Sequence, residues 1–183
     1  MHMKQFHHNL QYMSPVGTGD FAVQLTKPLS RLSTAIFTMA PELDETSIKE
    51  GVQYCNFFLG FQGNSENFEA QLQIGSMRFP DAPIQGYTQC YCRALDALGI
   101  RHSAAHDIGV DFQSYSNQHF AVMLSTEKVP GVTSSGVSMQ GGQEARFTVK
   151  NFTNGVAVAR RCYIALEADA IIELKAGSCT LLN

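Results

Sequence analysis

The sequence predicts an all-β fold: an antiparallel eight-stranded jelly-roll sandwich with one inserted α-helix at about residues 84–98. Three observations carry this expectation. Short runs of β-branched and aromatic residues recur at sandwich-like spacing, punctuated by Gly, Pro, Asn and Ser turn signals. One stretch alone keeps a helical period, with Ile84, Tyr87, Tyr91, Leu95 and Leu98 recurring three or four residues apart. Charged residues make up only 16% of the 183, the composition of a β-rich protein with much of its surface covered.

Taken in order, residues 1–19 are polar and Gly-rich and read as an N-terminal arm or lead-in. Residues 20–183 read as a single jelly-roll domain, long enough to bury a core without staples. Phe21, Val23 and Leu25 alternate as a strand until Lys27-Pro28 interrupts them. Arg31 to Met39 resumes in strand-like composition, and Pro41 to Gly51 is acidic and loop-like. Cys55 to Phe61 reads as a short apolar strand closed by a turn at Gly63 to Ser65. Phe68, Ala70, Leu72 and Ile74 alternate with Glu69, Gln71 and Gln73, a period of two. Gly75 breaks that run, and Phe79-Pro80-Asp81-Ala82-Pro83 reads as a corner leading into the helix, which is inserted after the third or fourth strand. Pro83 suits the first helical turn and Gly99 a left-handed cap.

Beyond the helix, Ile100 to Tyr115 reads as a long loop holding a short IGVDF strand. Phe120 to Leu124 is an apolar strand, Lys128 to Gly142 is turn-rich, and Ala145 to Lys150 alternates cleanly. Asn154-Gly155 is the strongest tight-turn dipeptide. It is expected to precede two closing strands, Arg161 to Leu166 and Ala170 to Lys175, and a last run, Ser178 to Leu182.

Composition excludes several function classes. A formal net charge of -3 offers no basic surface for nucleic acid, so no direct nucleic-acid binding is expected. No apolar run approaches the ~20 residues of a bilayer span, so no membrane insertion is expected. The first residues lack the apolar core of a secretory signal, which reads as an intracellular chain. Five cysteines, an odd number, argue for reduced thiols over a disulfide framework.

The candidate chemistry is sparse. His102, His106 and Asp107, with Asp111 nearby, form the one cluster with ligand spacing, because imidazole and carboxylate together suit divalent metals. The segment does not read as a helix and Gly109 loosens it, so a solvated loop is the stronger reading and no metal is assigned. Cys90 and Cys92 lie two apart on the predicted helix, with no partner pair at zinc spacing, and read as small apolar fillers. Cys55, Cys162 and Cys179 receive the same reading. Glu167 and Asp169 are expected at an ordinary turn between strands. The His-x-His and Glu pattern of metal-dependent jelly-roll enzymes is missing, as are a GxSxG elbow, a P-loop and a dinucleotide fingerprint. Asn151-Phe152-Thr153 matches a glycosylation acceptor, which carries little without a secretory signal. No catalytic residue, cofactor or metal is expected, and the chain does not read as an enzyme.

One stretch is more specific. LQIGSMRFPDAPIQGYTQCYCRAL resembles a segment of the major capsid proteins of double jelly-roll DNA viruses, of the polinton-like, adintovirus and virophage group. There a strand ending in Gly-Ser and a basic residue meets an Arg-Phe-Pro corner and a helix. Leu29-Ser30 with Arg31 to Met39, Ile108 to Ser114, Ser135-Gly136-Val137 with Gly141-Gly142, and Asp169 to Gly177 resemble further segments of that family, in the same order. The resemblance covers roughly residues 21–183 and points to the C-terminal jelly roll. It implies a self-assembling structural subunit of a virion, a homo-oligomer and specifically a trimer. Other capsid subunits or a partner jelly roll would be its contacts, and assembly would take place in the nucleus or cytoplasm of a host cell. Capsid proteins of this kind carry two rolls per chain, whereas 183 residues accommodate one, so the apolar surface facing the other roll must be covered by something else. Two alternatives stand beside it. A non-enzymatic binding module for a glycan or protein ligand would normally display Trp, and this chain has none. A metal-dependent enzyme would rest on His102, His106 and Asp111.

Overall fold

The structure is a computed structural model that describes residues 2–41, 68–101, 109–117, 119–127, 136–141, 143–175 and 178–182. Two long strands organise it. β1 (His2–Leu25) and β6 (Ala145–Lys175) run antiparallel, from His2 opposite Ile171 to Leu25 opposite Ala145. β2 (Leu32–Pro41) joins the second half of β6 and also pairs with β5 (Val122–Ser125). β3 (Glu69–Ile74) joins the first half of β6 and forms a hairpin with β4 (Met77–Gln85). β7 (Ser178–Leu182) pairs with the end of β6.

Because β1 and β6 each serve twice, the pairings define two antiparallel four-stranded sheets, β4–β3–β6–β1 and β5–β2–β6–β1. If the halves of β1 and β6 are counted separately and β7 is set aside, eight segments result. The first pairs with the eighth, the second with the seventh, the third with the sixth and eighth, and the fourth with the fifth and seventh. This is the rolled-up double Greek key of a jelly roll. The all-β sandwich is therefore present, with its helix after the fourth strand, β4, as expected, which is between the fifth and sixth segments when β1 and β6 are halved.

The core lies between the sheets, where the period of two buries alternate residues. Phe37 and Met39 of β2, Leu72 and Ile74 of β3, and Phe147, Ile164 and Leu166 of β6 are all buried. Phe37 and Phe147 come from opposite sheets and stack with ring centroids 3.8 Å apart and planes 5° off parallel. Such a contact ties the layers together: the pairing itself is worth about 0.5–1.5 kcal/mol beyond burial, and truncating either buried ring would cost about 3–5 kcal/mol.

The strand–corner–helix expectation is corrected in one respect. Gly75 (φ +57) closes a tight hairpin, and Phe79 to Pro83 belong to β4, an edge strand. Prolines fit there because an edge leaves one side of the ladder open. The register steps from Ala70 opposite Ile84 to Leu72 opposite Phe79, so the Pro80–Pro83 stretch bulges outward. Gln71 fills the gap by donating its side-chain amide to the carbonyls of Pro80 (2.9 Å) and Asp81 (3.1 Å). Pro83 therefore precedes the helix rather than starting it.

The helix α1 (Gly86–Ala97) ends in a Schellman motif, with Gly99 (φ +70) donating to Asp96 and Ile100 to Leu95. Its fully buried residues are Cys90 and Ala94, with Tyr87 and Tyr91 flanking them, and Leu98 is exposed. Small residues let the helix sit close to the sheet while the tyrosines overhang its sides, so the buried face is rotated from the expected stripe.

Four other expectations change. Residues 2–19 are the first part of β1, not a lead-in. Asn154-Gly155 lies inside β6, which runs on where a turn and two separate closing strands were expected. Asn151 takes φ +54, and the register against β1 shifts around it and again between Thr153 and Val158, across Asn154-Gly155, where the ribbon passes from one sheet to the other. Finally, the described residues 109–111 of the expected IGVDF strand are irregular, and Phe112–Asn117 forms a short helix, α2. The expected strand at Cys55 to Phe61, its turn at Gly63 to Ser65 and most of the acidic loop lie outside the described residues.

Candidate assembly surfaces

The helix leaves β4 at the edge of one sheet and leads towards β5 at the edge of the other, and it packs chiefly on β5. A chain of aromatic rings holds it there. Tyr87 meets Phe120 at 4.7 Å, Phe120 meets Tyr115 at 5.5 Å, and Tyr115 meets Tyr91 at 5.1 Å. Buried hydroxyls find acceptors: Tyr91 donates to the Val110 carbonyl at 3.0 Å and Tyr115 to that of Ala121. Burial pushes the Tyr87 phenol up to about 12 and raises that of Tyr115 further. The rings are structural, and their hydrogen bonds fix how α1 and α2 meet the sandwich.

The sequence candidates for chemistry are dispersed. His102, His106 and Asp107 lie outside the described residues. Asp111 is exposed at the start of α2, where its carboxylate accepts the Ser114 N–H at 2.7 Å, and that hydrogen bond lowers its pKa. Among the described residues, no three His, Cys, Asp or Glu side chains converge on a metal-sized site. Cys90 and Cys162 are buried, and desolvation pushes both thiols up to about 12, the opposite of an activated nucleophile. Glu167 and Asp169 sit within β6, not at a turn. Glu167 accepts a 2.9 Å ion pair from Lys4, and the Asp169 N–H donates to the Arg31 carbonyl at 3.0 Å.

The two outer sheet faces differ in character. On β4–β3–β6–β1, the outward residues include Gln71, Gln73, Arg146, Thr148 and Lys150, around a shallow groove of about 180 Å³. On β5–β2–β6–β1, direct register partners place Ala165 beside Ile36 and Ile36 beside Met123, all half-buried. Tyr163 is 39% exposed and Phe6 53% exposed on the same face. Sequence reading assigned Arg161 to Leu166 to a strand but overlooked this row. Its signal was present in Cys-Tyr-Ile-Ala-Leu, which has no polar residue at the alternate positions that solvent would favour.

Between α1 and α2 lies an open groove of about 590 Å³ lined by Gln85, Tyr87, Thr88, Gln89, Phe112 and Ser116. Among the described residues no charged side chain lines it, and Phe112 is exposed. No helix among the described residues is long and apolar enough to cross a membrane.

No family model matches this chain, and no curated protein does. Among solved structures it is similar to a BFDV capsid protein crystallised as a decamer. The match covers 92% of this chain and 97% of that one, with a TM-score of 0.34 and 10% sequence identity.

Proposed function

We propose that this protein is a structural capsid subunit of a DNA virus, a jelly roll that self-associates into a shell and catalyses no reaction. The observation that carries the reading is the complete jelly-roll strand order with a helix between its fifth and sixth segments, at the residues whose sequence resembles viral major capsid proteins. A shell subunit requires a rigid sandwich and broad flanks of low charge for its neighbours. The buried inter-sheet core and the half-apolar outer face of β5–β2–β6–β1 supply both. In this reading the subunits close as trimers, the partners are other subunits or a second jelly roll, and the location is the virion.

The test is the solution mass of the purified chain over a wide concentration range, with electron microscopy of the most concentrated samples. Oligomers or particles are expected. A strict monomer at high concentration, alone and with candidate partner rolls, overturns the proposal.

A second reading, a glycan-binding module, is favoured by the groove between α1 and α2. Amides, hydroxyls and an exposed ring without charge suit a neutral sugar. Saturation-transfer NMR against a panel of neutral glycans tests it. Signal that disappears in Phe112→Ala would favour this reading over the first.

A further inference from the structure

We infer that the groove between α1 and α2 is one half of a longer site along α1 that takes an acidic oligosaccharide, a neutral sugar bearing one carboxylate or sulfate. The inference rests on the glycan-binding reading above. A second groove, of about 370 Å³, continues from the first. Thr88 and Gln89 line both, and the second runs on along Cys92, Arg93, Asp96 and Arg101. From Gln85 to Arg93 the helix axis advances about 12 Å, room for more than one sugar ring.

The two halves differ in chemistry. In the first, Phe112 is 42% exposed, and Tyr91 meets its ring at 5.7 Å with the planes 70° apart. That contact fixes the ring as a platform for the C–H face of a sugar. Ser116 gives its hydroxyl proton to the Gln113 carbonyl at 3.1 Å and so presents lone pairs. At the junction, the Gln89 side-chain oxygen accepts the Gln85 N–H at 2.9 Å, which leaves its amide N–H groups as donors. In the second half, Arg101 and Asp96 neutralise each other through contacts of 2.9 and 3.1 Å. Arg93 is exposed and forms no ion pair with any described residue. A ring platform, donors and acceptors, and then one uncommitted cation match a neutral sugar followed by an anionic group. A peptide fits less well. The backbone of α1 is hydrogen-bonded within the helix and offers no ladder to an extended chain.

The experiment titrates the full chain with lactose, sialyllactose and sulfated lactose by calorimetry and saturation-transfer NMR. Arg93→Gln, Arg93→Lys and Phe112→Ala are titrated alongside, with circular dichroism confirming that each is folded. The anionic sugars are expected to bind about three- to fivefold more tightly than lactose at low salt, the advantage of one exposed charge pair. Raising the salt should shrink that advantage. Arg93→Gln should bring the anionic sugars to the affinity of lactose, and Arg93→Lys should keep part of the difference. Phe112→Ala should weaken binding of all three. An advantage for one anion alone supports the inference and identifies the group. Equal affinity for all three sugars, or an advantage that survives Arg93→Gln, overturns the inference and leaves the neutral-glycan reading standing. Absence of any binding that depends on Phe112 overturns both.

Discussion

Replacing Gly136 with alanine should destabilise the fold by steric collision, at a residue whose sequence context says only "turn". A Cβ at this position would lie 2.5 Å from the Leu32 carbonyl oxygen and 2.9 Å from its carbon. Both are backbone atoms in a strand of the core, so no flexible side chain can swing aside. Ordinary contact requires about 1 Å of movement, and forced insertion of a methyl group into packed structure costs about 1–3 kcal/mol. The carbonyl that must move is not idle. It accepts the Val137 N–H at 2.9 Å and the Thr126 hydroxyl, while the Leu32 N–H donates to the Val137 carbonyl at 2.9 Å. Weakening this set adds about 1 kcal/mol.

The expected total is about 2–4 kcal/mol, a fall in Tm of roughly 5–15 °C for a chain of this size. The chain has no Trp, so far-UV circular dichroism during thermal and urea unfolding is the suitable assay. Thr126→Val removes one donor to the same carbonyl without adding volume and should cost only about 0.5–1.5 kcal/mol. Because both changes act on a single oxygen, the double variant should be less destabilised than the sum. A Gly136→Ala protein melting within about 1 °C of the parent, or strict additivity with Thr126→Val, would refute the reasoning.

Gly99→Ala makes a useful contrast. Its φ is +70 and nothing lies within 4 Å of a Cβ, so the cost is conformational alone, about 1 kcal/mol, and Gly99→Asn should recover part of it. Unfolding curves of the two variants check this, and equal losses would contradict it. Thiol labelling of the native protein near pH 8 followed by peptide mass analysis should leave Cys90 and Cys162 unmodified, since burial raises both thiols to about 12. Modification of either before unfolding would show that the helix seat or the sheet core opens readily. The buried phenols predict alkaline instability. Tyr87 is raised to about 12 and Tyr115 is raised as well, against about 10 when unfolded. The native state keeps protons that the unfolded state releases, so their contribution is complete below pH ~10 and is lost as pH rises towards 12. Ultraviolet titration of the native protein should show two late phenols, and their ionisation near pH 10 would overturn the assignment.

Much of the fold was legible because burial writes a period. The alternation through Ala145 to Lys150 and Phe68 to Ile74 identified β6 and β3, since each inward position must be apolar to meet the opposite sheet. The helix was legible for the same reason, although its buried centre was not. Cys90 and Ala94 are weakly hydrophobic beside Tyr87 and Tyr91, so a stripe drawn through the large residues misses the close approach that small ones permit. Local signals failed where long-range pairing prevailed. Asn154-Gly155 has hairpin chemistry, yet β6 runs on through it, and the dipeptide falls in the register shift between Thr153 opposite Thr18 and Val158 opposite Val16 instead of closing a hairpin. Residues 2–19 looked like an arm because their partner lies some 150 residues away, beyond the reach of any window. The half-apolar outer face of β5–β2–β6–β1 was the least legible. Its outward residues lie far apart in the sequence, and only the strand register places Ala165, Ile36 and Met123 in one row.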